Sequence, residues 1–194
     1  LQKTKELLKK TKEVQVFYES VLNKKFSYVY KINKNDYKEI VIIFGKNNFK
    51  HLTGMEIFIR SGNKKMNGSD FYDYIKNFND FDEKTYRLKA KGYTEQKIRA
   101  MKELANILDS QKNLVVNTQY NTSSKGIRSR KLIMYLGLAY LNSNIFVPQT
   151  MIDPKNTKSG QVPKGIQIHC IYQIIEDKKV IINCSDEFKK QIEK

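Results

Sequence analysis

"KFSYVYKINKNDYKEIVIIF", residues 25–44, decides how the rest of the chain is read. Two runs rich in β-branched and aromatic residues, "KFSYVYKI" and "KEIVIIF", flank "NKNDY", a cluster of turn formers. That pattern predicts a β-hairpin. Phe26, Tyr28 and Tyr30 fall on alternate positions and share one face of the first strand. A face so aromatic must be covered. The segment before it supplies a cover: residues 3–22 carry Leu7, Val14, Phe17, Tyr18 and Val21 on one helical stripe, with Lys and Glu elsewhere.

Beyond the hairpin a short helical piece is expected around Phe49 to Met55. "RSGNKKMNGSD" reads as loop, with Ser69 or Asp70 capping a helix "FYDYIKNF". Residues 94–109 give the clearest helix. Thr94 is its expected cap, and Ile98, Met101, Leu104, Ala105, Ile107 and Leu108 form the buried stripe. Lys97, Arg99 and Lys102 are expected to face water. The remainder is strand-like: "NLVVNTQY", "LIMYLGLAYL", "NIFVPQTMI", then "IQIHCIYQII" and "KVIINC" around a turn. "NTSSKGIRSRK" and "DPKNTKSGQVPKG" read as loops, and "SDEFKKQIE" as a short final helix with acids in its first turn.

Helices come mostly early and strands mostly late, which predicts an α+β class. The expectation is one domain over 1–194. Its parts are an N-terminal helix (1–22), hairpin and helices (24–110), mainly antiparallel strands (113–184) and a short C-terminal helix (185–194).

Of 194 residues, 36 are Lys or Arg and 20 are Asp or Glu, for a formal net charge of +16 spread along the chain. Such an excess favours polyanions as partners and speeds encounter with them. Two cysteines, Cys170 and Cys184, are too few for a disulfide scaffold. They are expected as reduced core residues, with pairing across adjacent strands left open. No stretch is long and apolar enough for a transmembrane helix and no signal peptide is visible, so no membrane partner and a cytoplasmic location are expected. A start at Leu1 suggests an excised domain or a processed product.

There is no C-x-x-C, no H-x-x-x-H, no GxGxxG, no P-loop and no nucleophile elbow, so neither a metal site nor a cofactor is expected. Metal-independent RNA cleavage asks for less. It needs a base for the 2′-hydroxyl proton, an acid for the leaving 5′-oxygen and cationic donors for the phosphorane-like transition state. The chain's two histidines are the first candidates. Alternation in "IQIHCIYQII" puts Ile166, Ile168, Cys170, Tyr172 and Ile174 on one face, and leaves His169 with Gln167 on the more polar one. His51 lies in "NNFKHLTGM", anchored by Phe49 and Leu52, with Lys50 and Thr53 as polar companions. The catalytic candidates are therefore His51, His169 and Thr53. Lys50, Lys125, Arg128 and Arg130 are candidates for phosphate, with Ser123, Ser124 and Lys131 in the same basic loop. Tyr120 and Tyr172, with Tyr135, are candidates for stacking on bases.

With these elements in order, the chain resembles the fourth phage-associated group of the barnase–EndoU–colicin E5/D–RelE-like nucleases. The residues that carry the resemblance are the tyrosine-rich strand, "IVIIF", the Phe-x-His-Leu-x-Gly pattern of "NNFKHLTGM", "SDFYDYI", "TEQKIRAMKELANIL", "FVPQTMID" and the closing strand pair, roughly residues 14–184. The resemblance implies a helical front packed on a four-stranded or slightly larger antiparallel sheet. It also implies a metal-independent endoribonuclease, often carried as a toxin domain by phages and mobile elements. RNA, tRNA among its forms, would be the substrate, and an immunity or antitoxin protein a partner. The position that matches its signature is His51, with Leu52 and Gly54. The alternative is a non-catalytic basic protein of a mobile element that binds nucleic acid or a nucleoprotein, such as an inhibitor of a host defence complex. The nuclease reading requires His51, the basic loop and the last sheet to line one cleft.

Overall fold

The computed structural model describes residues 1–34, 36–156 and 161–192. Asn35 of the expected turn, residues 157–160 of the expected loop, and Glu193 at the end of the expected last helix lie outside the described residues.

Helix α1 (Gln2–Glu19) leads into the predicted hairpin, β1 (Lys25–Asn33) and β2 (Asp36–Ile43). Helix α2 (Lys46–Thr53), β3 (Met55–Ile59), β4 (Lys64–Lys65), α3 (Gly68–Lys76), β5 (Tyr86–Ala90) and α4 (Thr94–Met101) follow. The rest comprises β6 (Asn113–Val116), β7 (Lys125–Ser129), β8 (Tyr135–Asn142), β9 (Ile145–Ile152), β10 (Ile166–Ile175), β11 (Lys178–Cys184) and α5 (Asp186–Ile192). The class is α+β, as the sequence predicts. The sheet is larger than four strands and mixed. Eight strands run in the order β1-β2-β9-β8-β7-β6-β10-β11, and the β2–β9 pairing is parallel. Because β1 also pairs with β10, the first seven strands of that order close into a ring, with β11 attached beside it. A small sheet, β4-β3-β5, lies apart.

One face of the ring and the helices share a single apolar core. Phe26, Tyr28 and Tyr30 of β1 meet Tyr18 of α1, Phe49 and Leu52 of α2, Phe71 of α3 and Met101 of α4 there. The Tyr28 hydroxyl reaches the Ile107 carbonyl at 3.3 Å, which fixes this face of β1 towards the helical layer.

Several local expectations change. Asn67, not Ser69 or Asp70, caps α3: its side-chain oxygen accepts from the Asp70 amide at 2.8 Å. The long helix stops at Met101 and tightens into a 3-10 turn over Lys102–Asn106. Tyr93 takes the cap position of α4, and the Thr94 hydroxyl instead accepts from the Lys91 amide. The basic loop is in large part strand β7. Ile127 anchors it in the core, and Gly126 allows it to pass the Tyr135 ring, where an added Cβ would come within 2.4 Å. β5 has no counterpart in the sequence reading, because "YRLKA" lacks a recognisable strand pattern. Cys170 and Cys184, expected to be reduced, face each other across β10 and β11 with Cα atoms 4.1 Å apart and are joined as a disulfide.

A further change concerns His169. The register between β1 and β10 slips where Val29 pairs with Cys170 but Tyr30 with Ile168, leaving His169 as an extra residue. Such a bulge resets the alternation. Ile168 and Ile171 both enter the core, so the single polar face expected for His169 and Ile171 is broken here.

Candidate active site

The Phe-x-His-Leu-x-Gly stretch is the end of α2. Phe49 and Leu52 are fully buried and fix the helix. The Lys50 ammonium is tied to the Met66 carbonyl at 2.7 Å. The Thr53 hydroxyl donates to the Lys50 carbonyl at 2.8 Å and accepts from the Met55 amide at 3.2 Å. Gly54 closes the helix in the left-handed region at φ 70°, a conformation glycine adopts without a Cβ clash. Lys50 and Thr53 thus hold the helix end in place. The His51 side chain is left exposed in the last turn.

What meets this helix end comes from α4. The Lys97 ammonium lies 3.3 Å from the His51 carbonyl and 3.2 Å from the Thr150 hydroxyl on β9. An ammonium group at a helix C-terminus satisfies an orphan carbonyl and the negative end of the dipole. Gly54 makes the approach feasible, since a Cβ there would stand 3.1 Å from Lys97 Cδ and 3.2 Å from Tyr93 Cε2. Gly54→Ala is therefore expected to cost about 1–2 kcal/mol of stability from left-handed strain and to displace Lys97. Chemical denaturation reads the first effect. A shift of the Lys97 side-chain NMR signals reads the second.

Lys97 borders a cavity of about 510 Å³ between α4 and the end of β9, with Tyr93, Gln96, Asn121, Thr150 and Asp153 also in its wall. Burial, reinforced by the Lys91 charge, pulls the Lys97 ammonium down to about 8. His51 is also held below its ordinary value, first by partial burial and then by the charges of Lys50, Lys65 and Lys97. At neutral pH the helix end thus carries an uncharged imidazole, and its His51 carbonyl meets an ammonium that readily surrenders a proton. Groups shifted in this way and gathered at a cleft are what acid–base chemistry uses.

The family model described as phage-Barnase-EndoU-ColicinE5/D-RelE like nuclease4 matches residues 10–190. The chain belongs to this nuclease family. No curated protein and no solved structure matches it significantly. A nucleic acid is the substrate class the family implies.

In this family member the remaining expected residues lie apart from the helix end. His169 packs edge-on against Tyr37 at 5.6 Å, and Tyr37 in turn against Phe188 of α5. Tyr37 pairs with Lys31 on the face of β1 opposite Tyr28 and Tyr30, so His169 lies across the sheet from α2. The sheet therefore separates His51 from His169. The His169 Nδ1 atom is buried without a partner among the described residues, and burial lowers its pKa.

Strand alternation divides the basic segment too. Lys125 faces inward, its ammonium 5.9 Å from the centre of the Tyr30 ring and 5.5 Å from that of Phe146. Arg128, on the other face, lies against Gly165 with its Nε buried. Arg130 is bound to the Gln111 carbonyl at 2.9 Å and to the Gln167 side chain. Tyr120 is buried edge-to-face on Tyr135, and Tyr172 lies under the Lys179 ammonium.

The residues that sequence reasoning missed are Lys97, Tyr93, Gln96, Asn121 and Thr150. One signal was available for the first. Thr94 and Met101 are buried, and position 97 stands three residues after the first and four before the second, on the same helix face. Lys97 therefore borders the apolar stripe and does not face open water.

Proposed function

We propose that this chain is a metal-independent endoribonuclease that cleaves RNA by attack of its own 2′-hydroxyl. The observation that carries the reading is the Lys97 ammonium, in the wall of a cavity and set between the His51 carbonyl at the end of α2 and the Thr150 hydroxyl. His51 takes the proton from the 2′-hydroxyl as the 2′-oxygen bonds to phosphorus. The bond from phosphorus to the 5′-oxygen breaks, and Lys97 delivers its proton to that oxygen. While protonated, Lys97 also offsets charge on the pentacoordinate phosphorus. The products are a 2′,3′-cyclic phosphate and a 5′-hydroxyl. Water returns the proton from His51 to Lys97. The 36 basic side chains draw RNA to the surface, Arg128, Arg130 and Lys125 among them. The reading places the protein in the bacterial cytoplasm as a toxin of a phage or mobile element, with tRNA as one target and an immunity or antitoxin protein as partner.

A second reading is favoured by the separation of His51 from His169 and by the division of the basic segment between two faces. It is a non-catalytic protein that binds nucleic acid or a nucleoprotein machine, such as a host defence complex. One experiment separates the two. Total RNA incubated with the protein in excess EDTA is expected to give fragments ending in 2′,3′-cyclic phosphate. Binding without any cleavage, across tRNA, rRNA and mRNA, overturns the enzyme reading and leaves the second.

A further inference from the structure

The cavity beside Lys97 has features that proton transfer does not require. Ile152 gives its wall an apolar part, and the side-chain amides Gln96, Asn121 and Asn156 also line it, Asn156 being bonded to Asp153. The Tyr93 side of the cavity is open, with 42 % of that residue exposed. A volume of about 510 Å³ is far more than a phosphate fills and lies within the range of small-molecule sites.

We propose that this cavity receives an adenine base of single-stranded RNA beside the cleaved phosphate, with Tyr93 as the stacking surface and Gln96 and Asn121 reading the base edge. The proposal rests on the ribonuclease reading and deepens it. Unstacked bases are held by aromatic rings and read by hydrogen bonds along their edges, and stacking on such a ring contributes about 1–3 kcal/mol per base. A side-chain amide offers one donor and one acceptor side by side. Adenine presents the complementary pair, an amino group next to a ring nitrogen.

Guanine also offers an amide a matching pair, its O6 and N1–H, but its 2-amino group then needs a free acceptor such as a carboxylate. The carboxylate in this wall is committed. Asp153 accepts from Arg99 at 3.3 Å and from Asn156 at 2.8 Å through one oxygen, and from the Lys155 amide at 3.1 Å through the other. A pyrimidine covers less of the Tyr93 ring and of the apolar wall at Ile152. Adenine satisfies stacking, edge and wall together.

Two measurements on the full chain test this. In the first, the four ribonucleoside 3′-monophosphates are titrated by NMR or calorimetry. The adenine nucleotide is expected to bind about 5–30-fold tighter than the others. Gln96→Ala and Asn121→Ala should level that preference, and Tyr93→Ala should weaken all four. Equal binding of the four, or none, overturns the proposal. In the second, oligoribonucleotides with a single varied base are cleaved. Cleavage without base preference, with KM unchanged in Tyr93→Ala, also overturns it and leaves the ribonuclease reading standing. Selective binding of the adenine nucleotide without cleavage of any RNA supports the adenine site and sinks the ribonuclease reading.

Discussion

His51→Ala is expected to lower the cleavage rate by about 10²–10⁴-fold, the range typical of a lost general base, while leaving stability within about 0.5 kcal/mol. The two halves of this expectation have different causes. The imidazole is exposed in the last turn of α2, so its removal opens no hole in the core. What is lost is the imidazole carried by the helix end whose carbonyl Lys97 meets. Added imidazole should recover part of the rate. The pH dependence follows from the directions of the shifts. His51 acts when neutral and its pKa lies below the ordinary histidine value, so the rate rises as pH climbs through that lowered value. Lys97 acts when protonated, so the rate falls as pH passes about 8. In His51→Ala the acid limb should vanish and the alkaline limb remain. Wild-type rates in a folded His51→Ala protein would remove this residue from the mechanism.

Lys97→Met is expected to abolish cleavage and to make the protein more stable at neutral pH. The sign comes from linkage. In the unfolded chain this amine titrates near 10.5, and in the folded chain near 8. Between those values the unfolded state holds more protons, so stability rises with pH across that window, and below about 8 the whole penalty applies. A shift of this size on a partly screened group corresponds to roughly 1–3 kcal/mol. Loss of the bonds to His51 and Thr150 offsets about 1 kcal/mol of it. A net gain of up to about 2 kcal/mol raises Tm by up to about 4–8 °C in a chain of this length. The gain should fade when melting is repeated near pH 10. A variant both inactive and less stable would mean that Lys97 serves the fold; an active one would exclude it from the chemistry.

The hairpin of β1 and β2 was legible in the sequence because its signals are local. Alternating aromatics and a turn cluster lie within twenty residues, and the structure pairs Lys25 to Ile43 through Lys31 to Tyr37 as that pattern implies. The ring was not legible. Its closure depends on β1 meeting β10 and β2 meeting β9, contacts between distant segments that leave no periodic trace. The same holds for the site. "NNFKHLTGM" drew notice because a histidine sits next to a helix-ending glycine. Its partner Lys97 lies 46 residues away and reads as an ordinary exposed lysine. Perfect alternation put His169 and Ile171 on one face of the strand, and one extra residue at the bulge sent Ile171 into the core while His169 stayed on the other side. Short-range rules cannot register a one-residue slip or a contact between distant helices.

The pairing of Lys25 with Ile174 also bears on when the ring can close in a growing chain. A ribosome adding roughly 5–20 residues per second needs about 8–30 s to pass from one to the other. Throughout that interval β1 exposes an edge that β10 later occupies. Thr150 leaves the ribosome 53 residues after Lys97, so until then the ammonium of Lys97 has no hydroxyl on the sheet side to meet. Both helices that form the site are thus made well before the strand that joins them to the ring, and a chain broken off before β9 carries His51 and Lys97 without that wall.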